Sequence, residues 1–333
     1  MMKIFLSTIA VIIFLELAIC SEIEIKINEI ELAGPITDRN SELSGMTWYE
    51  GWLILMPQYP NYPDYEGAGR LFKIHYNKLL EYIVGDVPLP ITPEEISINV
   101  DWFQKNIPGF EGFEAIAFQE NKVFLTIESE PEKIIGYVIS GIIDDEISEI
   151  ILDTLKVVDI APQADVPNAS EESIFLYENK VFTIYEANGV NINPQPVVHV
   201  FDLELNPLGT INFPNIEYRI TDVTAVNSEN EFWAINYFWP GEREFYKPGA
   251  DKFTEIYGAG ETHAKTDVVE RLVKYNIIDG IISISQQAPI QLRLDTEARN
   301  LEGLVRLDDQ GFLVCTDKHP RTILGFIPHC FDN

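Results

Sequence analysis

The chain has 333 residues, of which 46% are hydrophobic and 11% aromatic, and this composition argues against a disordered chain because it can fill a packed core. The formal net charge is −30, from 53 acidic and 23 basic residues, which argues against nucleic acid or an anionic membrane surface as a partner. The same acidity would keep an exported protein soluble, and it makes calcium a natural ligand.

The first twenty residues predict a secretory signal peptide. Lys3 precedes an apolar run over residues 4–15, and Ala18 and Cys20 are small residues at the −3 and −1 positions of a cleavage site. The apolar run is too short for a membrane-spanning helix. We therefore expect residues 1–20 to be removed during export.

The mature chain, residues 21–333, is expected to form a single domain that is secreted or periplasmic, monomeric and not inserted into a membrane. A lipid anchor at Cys20 is the alternative. It is disfavoured because Ile19 is bulkier than the small residue that usually precedes such a cysteine.

A spacing of fourteen residues recurs five times in the mature chain, which indicates an internal repeat. Each copy contains an apolar run, a polar turn and a second apolar run, as in SEESIFLYENKVFTIYE at residues 170–186. This pattern predicts a β-hairpin in each copy. The copies begin at Ser44, Glu114, Glu172, Asp222 and Glu302 and end at Gln58, Glu128, Glu186, Asn236 and Thr316.

Further apolar segments follow the hairpins and predict additional strands in each unit. Four antiparallel strands per unit, repeated around an axis, predict an all-β fold, a five-bladed β-propeller. The last unit lacks an outer strand, which the N-terminal residues 23–32 are expected to supply, closing the ring. Six blades is the alternative if residues 85–112 or 239–265 contain a degenerate blade. Residues 92–106 are instead expected to be helical, because they begin with a Thr-Pro helix-start signal and two glutamates.

The residues that begin the hairpins are candidate metal ligands. In such a ring the first strand of each unit lies innermost, so its first residue should approach the axis. Carboxylates gathered there would repel one another unless protonated or neutralised by a cation, and a hard cation with several oxygen ligands, calcium, meets that need. The alternative is that these residues are solvated strand ends. The predicted calcium ligands are Ser44, Glu114, Glu172, Asp222 and Glu302.

The residues that end the hairpins should lie at the same mouth of the ring, where Glu128 and Glu186 are candidate catalytic bases. Basic residues are expected at one side of this mouth, where they would hold a small anionic substrate or ligand. The alternative is that they only pair with neighbouring Asp and Glu residues. The predicted substrate-binding residues are Arg219, Asn236, Arg299, Lys318 and Arg321.

The stretches ELSGMTW, GFEGFEAIAF and RNLEGLVRL resemble the strand starts of the phytase-like (esterase-like activity of phytase) propeller family. Five blades with a Ser/Glu ring on the axis are also similar to calcium-activated apyrases. The resemblance implies calcium at the five ligands named above. The sequence departs from the family pattern at Asp222, where Ser or Glu is expected, and it has few basic residues for the phosphates of a nucleotide.

The preferred interpretation is a secreted, calcium-dependent hydrolase of phosphate or other ester bonds, because propeller mouths with a metal and aromatic walls often host chemistry. A lactonase-like propeller is one alternative. Another is a non-catalytic propeller in which calcium is structural and the mouth binds a ligand or a partner protein. The sequence contains no GxSxG, P-loop, HExxH or CxxC motif that would specify a different chemistry.

Overall fold

The computed structural model describes residues 24–64, 67–85 and 88–331. The predicted signal peptide, residues 1–20, lies outside the described residues. Within them the chain is nearly all β, with 22 strands and four short α-helices. The N-terminal segment supplies two strands that pair with much later ones, β1 (Glu24–Ile25) and β2 (Asn28–Ile30).

The first two units join into one eight-stranded sheet. Each unit is a set of four antiparallel strands, and the two sets meet where β6 pairs in parallel with β10. The first unit is β3 (Leu43–Tyr49), β4 (Trp52–Pro57), β5 (Ala68–His75) and β6 (Glu94–Asn99), and the second is β7 (Phe110–Gln119), β8 (Lys122–Ser129), β9 (Ile135–Ile143) and β10 (Glu149–Ile160).

The remaining units form separate sheets, two of which are completed by the N-terminal strands: β1 pairs in parallel with β19, and β2 antiparallel with β22. The third unit is β11 (Ser173–Tyr177), β12 (Lys180–Ile184), β13 (Val197–Asp202) and β14 (Pro207–Asn212). The fourth is β15 (Arg219–Val223), β16 (Glu231–Phe238), β17 (Val269–Ile278), β18 (Ile281–Ile284) and β19 (Ile290–Leu292), and the fifth is β20 (Leu301–Leu307), β21 (Gly311–Thr316) and β22 (Leu324–Pro328).

The helices lie in the connections between strands. Two of them, with a 3₁₀ turn at each end, occupy the long connection between β16 and β17. The α-helices are α1 (Tyr76–Val84), α2 (Asp101–Asn106), α3 (Arg243–Tyr246) and α4 (Lys252–Tyr257), and the 3₁₀ turns are Pro35–Thr37, Arg39–Ser41, Pro240–Glu242 and His263–Lys265. Within the described residues, none of the helices has the length and apolar character needed to cross a membrane.

The predicted hairpins are present, and the first strands of the five units contact one another in a closed cycle. β3 contacts β7 and β20, β11 contacts β7 and β15, and β15 contacts β20. A glycine allows two of these strands to pack closely: a Cβ added at Gly303 in β20 would lie 2.4 Å from Cys315 Sγ and 3.0 Å from Met46 Cβ in β3. The strands that begin with the repeat's first residues therefore form the inside of the fold.

Aromatic side chains from the repeat fill the space between neighbouring units. Phe182 stacks on Phe175 at 4.9 Å, Phe175 on Phe232 at 5.1 Å and Phe232 on Tyr275 at 5.1 Å, so that one stack joins the third unit to the fourth. All four rings are buried. Burying a side chain of this size contributes roughly 1.5–3 kcal/mol.

The helix expected over residues 92–106 is only partly correct. Glu94–Asn99 is strand β6, and the helix begins at Asp101. Buried Ile96 and Ile98 alternate with exposed neighbours, and this period of two favours a strand over the helix that the start signal predicts. Within the described residues, neither long insertion contains a sheet of its own.

The expected pairing of the N-terminal segment with the last strand is present. Asn28 lies opposite Phe326, and Ile30 lies opposite Leu324. The sequence did not predict that β1 would in addition extend the fourth sheet.

Candidate functional site

The first residues of four hairpins lie at interruptions of the strand pairing. The register shifts between Leu43 and Gly45, Phe113 and Ile116, Ile220 and Val223, and Leu301 and Gly303. Such β-bulges turn a side chain away from the regular alternation of a strand. They decide where the side chains of Ser44, Glu114, Asp222 and Glu302 point.

Five carboxyl groups come together at one end of the first strands, and we call them the acidic centre: Glu114, Glu128, Glu172, Glu186 and Glu302. All are buried, with exposed fractions between 0 and 8%. Burial raises the pKa of Glu172 well above its usual value, and the charges of Glu114 and Glu186 raise it further. Burial likewise raises the pKa of Glu302, helped by the charge of Asp317.

Arg219 compensates one half of the acidic centre. Its Nε donates a hydrogen bond to Glu186, and its guanidinium lies 3.5 Å from Glu302 Oε1. Nη1 also donates to Asn300 Oδ1 at 3.1 Å, and the guanidinium lies 5.5 Å from the ring centre of Tyr237. The arginine is only 6% exposed, so its charge is matched by fixed protein groups.

The insertion between β16 and β17 adds two groups to this half. The phenol of Tyr246 donates a hydrogen bond to Glu186 Oε2 at 3.0 Å, and Glu242 lies 3.8 Å from the Arg219 guanidinium. Sequence reasoning missed both residues. Because they lie on short helical segments outside the repeat, no spacing marks them.

The other half of the acidic centre forms no ion pair among the described residues, although the charge of Arg219 lowers the pKa of Glu114 and Glu128 in part. Glu114 accepts a hydrogen bond from Gln58 Nε2 at 3.0 Å, yet burial and the charge of Glu186 raise its pKa to about 7. Burial, together with the charges of Glu114 and Glu186, raises the pKa of Glu128 to about 9. Among the residues that the structure describes, Glu128 Oε2 is buried without a hydrogen-bond partner. Glu114, Glu128 and Glu172 form this uncompensated half.

A further buried carboxyl group, Glu171, lies beside Glu128. A Cβ added at Gly136 would lie 2.1 Å from Glu171 Oε2, and Gly136 is the residue directly opposite Glu128 on the neighbouring strand. Residues at opposite positions point their side chains to the same face of the sheet. The Glu171 carboxyl group therefore occupies the space that a side chain at position 136 would fill, on the same face as Glu128. Burial raises its pKa to about 8, and neither of its carboxyl oxygens has a hydrogen-bond partner in the described part of the chain.

Ser44 and Asp222, two of the predicted calcium ligands, have other partners. Ser44 Oγ donates a hydrogen bond to the carbonyl oxygen of Phe113 at 2.5 Å. Asp222 accepts hydrogen bonds from the backbone N–H groups of Val223 at 2.8 Å and Leu304 at 2.7 Å. Ser44 therefore links the first strands of the first and second units. Asp222 links the bulge in its own strand to the first strand of the fifth unit.

The remaining predicted substrate-binding residues are also held by protein groups. Asn236 donates to the carbonyl oxygens of Glu217 and Arg219 and accepts from Arg271 Nε at 2.8 Å. The basic side chains have carboxylate partners, which is the arrangement that the ion-pair alternative predicts. The pairs are Arg299 with Glu270 at 2.5 Å, Lys318 with Glu42 at 3.0 Å and Arg321 with Glu29 at 2.5 Å.

The uncompensated half fits a hard cation by its chemistry. Carboxylate oxygens are preferred calcium ligands, and an unpartnered buried oxygen such as Glu128 Oε2 needs a partner. In the side-chain positions of the described residues, no group of three or more His, Cys, Asp or Glu residues is arranged to hold a metal ion.

No protein-family model matches the sequence, and no curated protein matches it. Among solved structures, a glucose dehydrogenase shares 13% identity at a TM-score of 0.47, over 91% of this chain and 99% of that one. The soluble aldose sugar dehydrogenase of Escherichia coli shares 11% identity at a TM-score of 0.45, over 92% of this chain and 100% of that one. These values are too low to transfer a fold family, an activity or a cofactor to this chain.

Proposed function

We propose that the chain is an exported, monomeric five-bladed β-propeller that binds calcium at the uncompensated half of the acidic centre. The closed cycle of first strands, each backed by further strands, supports the propeller. The observation that carries the calcium site is the buried oxygen of Glu128, which has no hydrogen-bond partner among the described residues and lies near the carboxyl group of Glu114. The resemblance to phytase-like propellers agrees with both.

The proposed role of calcium is structural. Glu114 and Glu128 belong to the second unit and Glu172 leads into the third, so a shared cation would link the two units. These three carboxylates are between 2 and 4% exposed, which leaves little room for a substrate to reach the cation. The mouth of the ring would then serve to bind a ligand or a partner protein.

Hydrolysis of phosphate or other ester bonds is the second candidate function. It is favoured by the pKa of Glu128, because strongly perturbed carboxyl groups are common among catalytic residues. With a pKa of about 9 this group is protonated at neutral pH, and it could act as a base only after a cation lowered that pKa. Glu186 is less suited, since Arg219 and Tyr246 already engage its carboxylate.

A small anionic substrate would have to meet basic groups that are still accessible. The side chains of Lys318 and Arg321 are 42% and 59% exposed despite their ion pairs, so they could exchange a carboxylate partner for an anion. Arg219 and Arg299 are each 6% exposed and held by glutamates, which makes them poor candidates.

Thermal unfolding with and without calcium tests the proposal. Residues 21–333 would be melted in EGTA and then in millimolar Ca²⁺, alongside Glu172→Gln and a control, Glu178→Gln, at the exposed turn of the same hairpin. Calcium at a hundredfold excess over its dissociation constant should stabilise the protein by about 2.7 kcal/mol. We expect that rise in the wild type and the control, but not in Glu172→Gln.

Two outcomes would go against the proposal. An unchanged melting temperature in the wild type would exclude a calcium site, and an equal rise in Glu172→Gln would place the site elsewhere. Phosphate-ester hydrolysis that depends on Glu128 would favour the second candidate over the structural role.

A further inference from the structure

A cavity of about 430 Å³ lies between the third and fourth units, outside the acidic centre. Its walls come from the segment after β12, the segment before β15, helix α4 and the turn after β18. The volume lies within the roughly 300–1,000 Å³ of small-molecule sites. No acidic-centre residue lines it, so the inference drawn from it does not rest on the proposed calcium site.

The wall of this cavity formed by α4 is apolar and rigid. Phe253 and Tyr257 stack with their ring centres 6.3 Å apart, and the Tyr257 hydroxyl donates to the carbonyl oxygen of Gln286 at 2.6 Å. Ile256, between them on the helix, is 70% exposed, and Val190 on the opposite wall is 49% exposed. Exposed apolar side chains gathered around a concave surface mark binding sites.

Hydrogen bonds of Asp251 hold the start of helix α4 in place. Asp251 caps its first turn by accepting the Phe253 N–H at 3.1 Å. The same carboxylate accepts hydrogen bonds from both Nη atoms of buried Arg271, at 2.8 and 2.9 Å. The charge of Asp251 is thereby neutralised by a buried arginine.

The carboxylate of Glu217 gives the lining of the cavity a negative charge that a ligand could contact. Its carboxylate accepts the backbone N–H groups of Gly249 at 2.8 Å and Val190 at 3.4 Å, which orient it without neutralising it. Within the described part of the chain no basic side chain forms an ion pair with it. Lys252, also on the lining, is exposed, so solvent screens its charge.

We propose that this cavity binds a small molecule with an apolar body and a single primary ammonium group. The apolar body lies against Phe253, Ile256 and Val190, and the ammonium group donates hydrogen bonds to Glu217. The net charge of −30 disfavours an anion of the same shape.

Isothermal titration calorimetry in EGTA, with three probes of equal chain length, tests the inference: octylamine, octanol and octanoate. We expect octylamine to bind about fivefold more tightly than octanol, as one partly exposed ion pair allows. Octanoate should bind most weakly. Glu217→Gln should remove the preference for octylamine over octanol.

The apolar contact is tested separately. Ile256→Asp should weaken octanol binding about tenfold, the effect of removing roughly 1.4 kcal/mol of apolar burial. The control is Ile151→Asp, because Ile151 is similarly exposed, at 56%, on the second unit. Binding that is lost equally in both variants, or octanoate that binds as tightly as octylamine, would overturn the proposal. So would Glu217→Gln with an unchanged preference.

Discussion

Arg219 and Glu186 form a buried ion pair, and the guanidinium of Arg219 brings a positive charge into the acidic centre. Replacing Arg219 with Met would leave Glu186 buried without compensation. Removing one partner of a buried pair costs about 3–5 kcal/mol, so Arg219→Met should unfold at a markedly lower urea concentration.

The matched control for that variant is the double substitution Arg219→Met with Glu186→Gln. It removes both charges and should recover part of the lost stability, because no uncompensated carboxylate remains at 186. A double variant as unstable as Arg219→Met would mean that Glu302, not Glu186, is the group that needs the arginine.

Glu24 holds the N-terminal strand to the fourth unit. Burial would raise the pKa of Glu24, but hydrogen bonds from the backbone and ring of His263 and from the Thr262 N–H lower it from 4.5 to about 2. The folded pKa lies below the unfolded one, so this stabilisation is present above pH 4.5 and is lost as the pH falls through 2.

We therefore expect Glu24→Gln to lose about 1–2 kcal/mol of unfolding free energy at pH 7. The difference from the wild type should narrow between pH 4.5 and 2, as followed by urea unfolding across that range. A difference that stays constant with pH would show that the charge of Glu24 does not matter.

The acidic centre predicts the opposite pH dependence in the absence of a cation. The folded pKa values of Glu114 and Glu128, about 7 and about 9, lie above the usual 4.5. Groups with raised pKa values favour folding below their unfolded pKa and lose that contribution as the pH rises through the folded value. Melting temperatures in EGTA should therefore fall between pH 5 and 9, and Glu128→Gln should flatten the fall.

Gly136 should not tolerate a side chain while Glu171 is present. The added Cβ would lie 2.1 Å from Glu171 Oε2, and the buried carboxyl group cannot swing into solvent. Gly136→Ala should cost about 1–3 kcal/mol, as overpacking does. In the double variant with Glu171→Ala the two effects should not add, and additive losses in urea unfolding would refute the contact.

The hairpins were predictable because each carries its own local signals. In the copy that begins at Glu172, Ser173 pairs with Ile184 and Tyr177 with Lys180, across a turn in which Glu178 and Asn179 both have positive φ. That is the turn which a tight hairpin needs, and its residues lie beside the strands that they connect.

The interior of the candidate site was less predictable, because its contacts join units that are distant in sequence. Spacing placed Glu114, Glu172 and Glu302 near one another, but it could not show that Arg219 would reach Glu186 and Glu302. Nor could it show that backbone N–H groups would engage Asp222. Glu171 was overlooked because it stands next to Glu172, and only its contact with Gly136 on another unit distinguishes it.

The pairing of Glu29 with Gly325 joins the two ends of the described chain. Contacts between residues so far apart in sequence form slowly, so this seam should be the last part of the ring to fold. Until it closes, β22 presents an unpaired strand edge, and the N-terminal strand of a second molecule could occupy it as well as its own. Refolding at high protein concentration should therefore yield dimers that have exchanged their N-terminal strands.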